Sequence, residues 1–124
     1  MIYINDILRD AQIDKLIADC DTVHLVDGET SDYATAIASS LGSFTPTITK
    51  GDYAGAGGGR AATIAAKADI DITTLGNLDN YVFVDTSTST VLQVNPSQGK
   101  SYEVGDKAEL PEAIIFVAPD AVAL

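Results

Sequence analysis

Tryptophan is absent from this 124-residue chain, and cysteine, histidine and methionine each occur once. A single cysteine excludes an intramolecular disulfide, and one cysteine with one histidine cannot form the usual zinc ligand sets. Without tryptophan, and with only five tyrosines, the chain has few aromatic side chains for a sugar-stacking platform. We therefore expect no metal and no cofactor, and the hydrolase and lectin classes become less favoured.

Basic residues are also scarce, because 7 Lys and Arg face 18 Asp and Glu, for a formal charge of −11. Phosphate binding needs clustered basic residues, as does binding to an anionic membrane surface. No stretch reaches the 18 or so apolar residues of a membrane-spanning helix. We expect neither nucleic acid nor membrane as a partner. The acidity has two interpretations: solubility through self-repulsion, which we favour, or a complementary basic partner surface.

Helix is predicted at the N-terminus, over about the first 20 residues. Two apolar stripes that are not quite in phase run through it: Ile4, Leu8 and Ala11, and then Ile13, Leu16, Ile17 and Cys20. We expect one helix with a shift near Gln12, or two short helices. A second helix is predicted over residues 31–41, with Ser31 or Asp32 as its N-cap.

Strands and turns dominate from about residue 43 onward, and one earlier strand is predicted over residues 22–26. The later candidate strands span 44–49, 61–66, 69–74, 81–84, 91–94, 101–104 and 114–117. Residues 75–80 are predicted to be a turn region and residues 95–99 a loop. The short polar link over residues 85–90 predicts an antiparallel hairpin.

This spacing of short strands favours antiparallel sheets over a parallel α/β arrangement. We predict a mainly β (α+β) fold: an antiparallel β-sandwich or jelly-roll-like barrel with an N-terminal helical segment. The chain is expected to be a single domain over residues 1–124. Within it, residues 1–21 would be the helical segment and residues 22–124 a mostly β body.

The glycine-rich segment over residues 51–59 invites comparison with phosphate-binding loops. Neither Gly55 nor Gly57 starts a Gly-x-Gly-x-x-Gly pattern, and no Gly-Lys-Ser or Gly-Lys-Thr follows. The residues after it predict strand, so no helix N-terminus would face a phosphate. We interpret the segment as a flexible or tightly turning loop.

The remaining candidates for chemistry also favour structural interpretations. His24 lies in an apolar strand pattern, and the chain has no nucleophile elbow of the Gly-x-Ser-x-Gly type. Residues 27–32 hold three carboxylates but lack the register of a calcium-binding EF-hand loop. Asp69 and Asp71 share one strand face, and paired carboxylates are used in glycoside hydrolysis. The scarcity of aromatic side chains for sugar binding makes that role less favoured. Cys20 is expected to be a buried core thiol. We predict that the protein is not an enzyme.

Three blocks of the sequence resemble a known family: Gly59 to Ile64, Gly76 to Asp85, and Leu92 to Asp106 with a closing strand at Ile114 to Val117. With the N-terminal helix and the strand near Val23, they are similar to the head decoration, or cement, proteins of tailed bacteriophages. The resemblance implies a β-sandwich body and a structural role in the virion.

The resemblance also implies a binding partner and an oligomeric state. The protein would bind the lattice of the major capsid protein on the capsid exterior, after synthesis in the host cytoplasm, as a homo-oligomer with a trimer favoured. We expect the N-terminal segment or residues 51–60 to make the contacts, through Ile4, Leu8, Tyr53 and Arg60. Two alternatives stay open: a tail or head–tail joining protein, and a carbohydrate-binding adhesin module.

Overall fold

The fold was analysed in a computed structural model, which describes residues 2–3, 6–55, 58–118 and 121–122. The fold is mainly β with a short N-terminal helix, as predicted, and all strand pairs in these residues are antiparallel. The helices are α1 (Asp6–Asp19) and α2 (Tyr33–Ala38). The strands are β1 (Ile2–Tyr3), β2 (Thr22–Val26), β3 (Ser40–Phe44), β4 (Ile48–Asp52), β5 (Arg60–Ile64), β6 (Lys67–Asp71), β7 (Gly76–Asp85), β8 (Thr90–Tyr102), β9 (Lys107–Leu110), β10 (Ala113–Ala118) and β11 (Ala121–Val122).

Contacts within the chain divide it into two compact units. The first unit comprises Met1–Ala18, Thr47–Ala65 and Glu112–Leu124, and the second comprises Asp19–Pro46 and Ala66–Pro111. The first contains nearly all of α1, the sheet β10-β5-β4 and the pair β1-β11; the second contains α2, the sheet β3-β2-β7-β8 and the pair β6-β9. That residues 1–124 form a single domain stays a prediction.

The four-stranded sheet of the second unit is apolar on both faces at its centre. Val82, Phe83 and Val84 are consecutive in β7, so they alternate between the faces, and each is almost fully buried. One face packs Val82 and Val84 with Val26 and with Ala36 of α2. Continuous burial of this kind gives a strand a run of apolar residues instead of an alternating pattern.

The hairpin of β7 and β8 is present as predicted, but it is much longer than its apolar centre. Its ladder runs from the pair Asp85 and Thr90 to the pair Gly76 and Tyr102. The predictions of a turn at residues 75–80 and a loop at residues 95–99 were therefore largely wrong. Pro96 is tolerated because β8 is an edge strand, where a missing N–H need not interrupt a ladder.

The predicted strand over residues 44–49 was also wrong in its bounds. Strand β3 ends at Phe44 and β4 begins at Ile48, with Pro46 in the interval between them. Strand β3 passes so close to β6 that a β-carbon on Gly42 would overlap the carbonyl oxygen of Asp71. Glycine at this position allows the close approach of the two backbones.

The two helices match their predicted positions and differ in length. Helix α1 is one continuous helix that starts at Asp6, and residues 2–3 before it form β1. Helix α2 has the predicted N-cap, since the Asp32 carboxylate accepts a hydrogen bond from the Thr35 N–H at 2.9 Å. Its six residues are fewer than the predicted span, and β3 begins at Ser40.

Candidate functional site

Helix α1 presents apolar side chains on two sides. At about 100° per residue, Leu8 and Ala11 lie roughly 140° around the helix from Ile13 and Leu16. Ile13 and Leu16 are 0% and 8% exposed, whereas Leu8 is 66% exposed and Ile7 beside it is 78% exposed. The two sequence stripes therefore lie on two sides of one helix, and the buried side is that of Ile13 and Leu16, with Ile17 at its edge 37% exposed.

We call the surface formed by Ile7, Leu8 and Ala11 the outer face of α1. Ala11 is also exposed, so the three side chains offer a contiguous apolar patch near the start of the helix. A surface helix normally carries polar residues on the side opposite its buried stripe. Exposed apolar patches rimmed by polar residues occur at surfaces that bind other proteins.

Ion pairs hold α1 to the sheet of the first unit. The Arg60 Nε atom donates a hydrogen bond to Asp10 Oδ1 at 2.7 Å, and Arg60 Nη1 donates to Asp52 Oδ1 at 2.7 Å. One turn further along α1, Lys50 Nζ lies 2.7 Å from Asp14 Oδ1. The carboxylates of Asp10 and Asp52 raise the pKa of the Arg60 guanidinium. These bonds connect α1 to strands β4 and β5.

The predicted contact residues fall in different surroundings. Leu8 lies on the outer face, whereas Arg60 is largely covered and bound to carboxylates of its own chain. Ile4 lies outside the described residues. Ile7, which was not among the predicted contact residues, lies beside Leu8. Its spacing of four residues from Ala11 was the sequence signal that could have placed it on the same side of the helix. A contact role for Ile4, Leu8, Tyr53 or Arg60 stays a prediction.

Tyr53 fixes the start of the glycine-rich loop. Its ring lies directly against Gly55, where a β-carbon would overlap the ring, and its backbone N–H donates to the Gly59 carbonyl at 2.9 Å. Gly58 and Gly59 have φ values of 61° and 108°, which favour glycine. The loop joins β4 to β5, so a strand follows it, as the sequence predicted.

The candidate catalytic and metal-binding groups are engaged in local structure. His24 is half-buried, its Nδ1 lies 3.0 Å from Ser40 Oγ, and burial lowers its pKa, opposed in part by Asp21. Burial raises the pKa of the Cys20 thiol to about 11. Asp71 pairs with Lys107, and Asp69 adopts a left-handed φ of 57°.

Asp27 and Asp32, two of the three carboxylates over residues 27–32, make separate contacts. Asp27 Oδ2 accepts from the Asn77 N–H at 3.2 Å, and the Gly28 N–H donates to Asp79 Oδ2 at 2.8 Å. Asp32 instead caps α2, and the Thr35 hydroxyl and N–H lower its pKa. In the described ranges no group of three or more His, Cys, Asp or Glu side chains is placed to hold a metal ion.

Charge is distributed unequally between the two units. The second unit contains twelve acidic and three basic residues, for a formal charge of −9, whereas the first contains six acidic and four basic residues, for −2. The outer face of α1 therefore belongs to the nearly neutral unit. Neither helix in the described part of the chain is long and apolar enough to cross a membrane.

Comparisons with known proteins add no relative. No family model, curated protein or solved structure matches this chain.

Proposed function

We propose that this chain is a structural virion protein that decorates and stabilises a phage capsid by binding the lattice of the major capsid protein. The observation that carries the proposal is the outer face of α1. Ile7 and Leu8 are large, apolar and mostly exposed on a helix whose opposite side is buried. A helix that presents such a patch beside a β-sheet suits attachment to another protein.

The attachment would bury the outer face against a capsid subunit. Full burial of one leucine side chain contributes about 1.5–3 kcal/mol, so each single contact is weak. Many symmetric copies, or a homo-oligomer such as the favoured trimer, would raise the overall avidity without further contacts. The ion pairs of Arg60 and Lys50 support this mechanism by holding α1 in place, so that little conformational entropy of the helix is lost on binding.

Co-sedimentation with expanded capsids of the virus that encodes the chain tests the proposal. Wild-type protein should pellet with capsids and saturate at a fixed number of copies per particle. Leu8→Glu should weaken binding about 10-fold or more, since about 1.4 kcal/mol corresponds to a tenfold change in affinity. Circular dichroism should show that the variant remains folded, because Leu8 is mostly exposed.

Leu75→Glu is the matched control. Leu75 is 71% exposed and lies in the second unit, so the substitution adds the same charge at a similarly exposed leucine outside the outer face. It should bind capsids like the wild type. Failure of the wild-type protein to bind capsids, together with its absence from purified virions, would contradict the proposal.

A further inference from the structure

The turn after β2 contains Asp27 and Gly28, the only Asp-Gly or Asn-Gly pair in the sequence. Such pairs are among the dipeptides most prone to spontaneous rearrangement, because glycine has no side chain to hinder attack by its backbone nitrogen on the preceding carboxyl. Packing does not protect the turn. Asp27 is exposed, and no heavy atom of the described residues, apart from the chain neighbours, lies within 4 Å of the β-carbon position of Gly28.

Hydrogen bonds from β7 hold both of the groups that would react. The Gly28 N–H donates to Asp79 Oδ2 at 2.8 Å, and the Gly28 carbonyl accepts from Asn80 Nδ2 at 2.7 Å. The Oδ2 atom of Asp27 accepts from the Asn77 N–H at 3.2 Å. We call these three bonds the turn clamp, because they tie the turn to a strand that is remote in the sequence.

The rearrangement itself needs only water. The Gly28 nitrogen loses its proton and attacks Cγ of the protonated Asp27 carboxyl, so that a C–N bond forms, a C–O bond breaks and water leaves. The product is a five-membered succinimide ring. Water that adds at Cγ restores aspartate. Water that adds at the main-chain carbonyl carbon of Asp27 breaks its bond to the nitrogen and gives isoaspartate, in which the chain continues through Cγ.

We propose that Asp27 is a site of spontaneous isomerisation and that Asp79 suppresses this reaction in the folded chain. The carboxylate of Asp79 lies beside the Gly28 nitrogen and disfavours the anionic nitrogen that must attack, since like charges at short distance repel. The bond to Asn77 holds the Asp27 carboxylate at the start of β7. The rate of isomerisation therefore follows the population in which the turn clamp is open.

Isoaspartate would not fit the turn clamp. It lengthens the backbone by one methylene group and moves the carboxylate, so the geometry of the bonds to Asn77 and Asp79 is lost. An isomerised chain therefore keeps a permanent record that its turn has opened. The inference does not rest on capsid binding and does not involve the outer face of α1.

Incubation of the purified full-length chain at neutral pH in water enriched in heavy oxygen tests the inference. Each hydrolysis of the succinimide adds one oxygen atom from the solvent, so mass spectrometry of the peptide that contains Asp27 counts ring openings for both products. Electron-transfer fragmentation identifies the isoaspartate fraction. The folded wild type should react about tenfold or more slowly than the wild type in urea, since hydrogen bonds to charged groups must break first.

Substitution of Asp79 separates the turn clamp from folding in general. Asp79→Ala should isomerise about fivefold or more faster than the wild type under folding conditions, because one charged hydrogen bond is lost. Asp79→Asn should be intermediate, since its amide oxygen still accepts but carries no charge. Glu29→Ala is the matched control, because it removes an exposed carboxylate next to Gly28 that is not part of the turn clamp. It should keep the wild-type rate.

Circular dichroism and urea unfolding should show that each variant is folded during the incubation. If Asp79→Ala does not fold, Asp79→Asn and the comparison of folded with denatured wild type provide the test.

Three results would overturn the inference. Equal rates in the folded and denatured wild type would show that the fold does not protect Asp27. A wild-type rate in folded variants of Asp79 would show that another group protects it. An equal acceleration in Glu29→Ala would show that the effect comes from net charge.

Discussion

The Nε atom of Arg60, at the start of β5, lies 2.7 Å from the Oδ1 atom of Asp10 on α1. The same guanidinium binds Asp52 through Nη1 at 2.7 Å. Arg60 therefore connects the helix to the sheet of the first unit. A planar guanidinium can serve two carboxylates in fixed directions, which a lysine cannot do.

Arg60→Ala should loosen α1. We expect faster hydrogen exchange at the amides of α1 and a lower melting temperature, with Arg60→Lys intermediate because it keeps the charge and loses the fork geometry. Lys107→Ala is the control, since the pair of Lys107 and Asp71 is exposed and contributes little. Unchanged exchange in Arg60→Ala would show that Arg60 does not hold the helix.

Gly42→Ala should destabilise the second unit. A β-carbon at position 42 would overlap the Asp71 carbonyl oxygen, so β3 and β6 must separate, at a cost of about 1–3 kcal/mol. Chemical denaturation measures the loss. Gly51→Ala is the control, because no atom lies within 4 Å of its β-carbon position, and it should change the unfolding free energy by less than about 0.5 kcal/mol. Equal stabilities of the two variants would contradict the close approach.

Cys20 should be unreactive in the folded protein. Burial raises the pKa of its thiol to about 11, against hydrogen bonds with the backbone of Thr22 and Val84 that lower it. At pH 8 the thiol is therefore protonated, and the thiolate is the reactive form. Iodoacetamide should label Cys20 only after denaturation, as read by mass spectrometry. Rapid labelling of the native chain would contradict this burial.

Stability should fall between neutral and mildly acidic pH because of His24. Burial lowers its pKa in the folded chain, so the unfolded chain, with a histidine pKa of about 6.5, takes up the proton first. The stabilisation is complete above about pH 6.5 and is lost as the pH falls through the folded pKa. Urea unfolding from pH 7.5 to 5 should show this slope.

His24→Gln supplies the control for that slope. Glutamine does not titrate, so the unfolding free energy of the variant should change less over the same pH range. The carboxylates of Asp21, Asp32 and Asp85 have lowered pKa values, so their contributions are lost only at more acidic pH. A slope that is equal in the wild type and the variant would show that His24 is not its source.

Local sequence signals predicted those elements whose determinants lie within a few residues of each other. The apolar runs at residues 22–26 and 81–84 are strands because β-branched and aromatic side chains pack well on a pleated surface. Asp32 caps α2 through a contact only three residues away. The mainly β fold class, its hairpin and its N-terminal helix were therefore accessible from the chain alone.

Pairing between distant residues decided the rest of the fold. Gly76 to Asn80 resembles a turn, yet it is strand because Leu78 is buried and the segment pairs with β8. Strand β9 was not predicted, and it forms by pairing with β6. Propensity is a weak guide where a cross-strand partner supplies the hydrogen bonds.

The candidate site also depended partly on local sequence signals and partly on contacts between distant residues. The sequence by itself determined that the N-terminal helix carries two apolar stripes out of phase, because helix geometry places them on different sides. Only the tertiary structure decided which stripe faces solvent. The sheet of the first unit binds α1 through Arg60 and Lys50, and in this arrangement Ile13 is buried and Leu8 is exposed. Which face of a helix is covered depends on partners that are remote in the sequence.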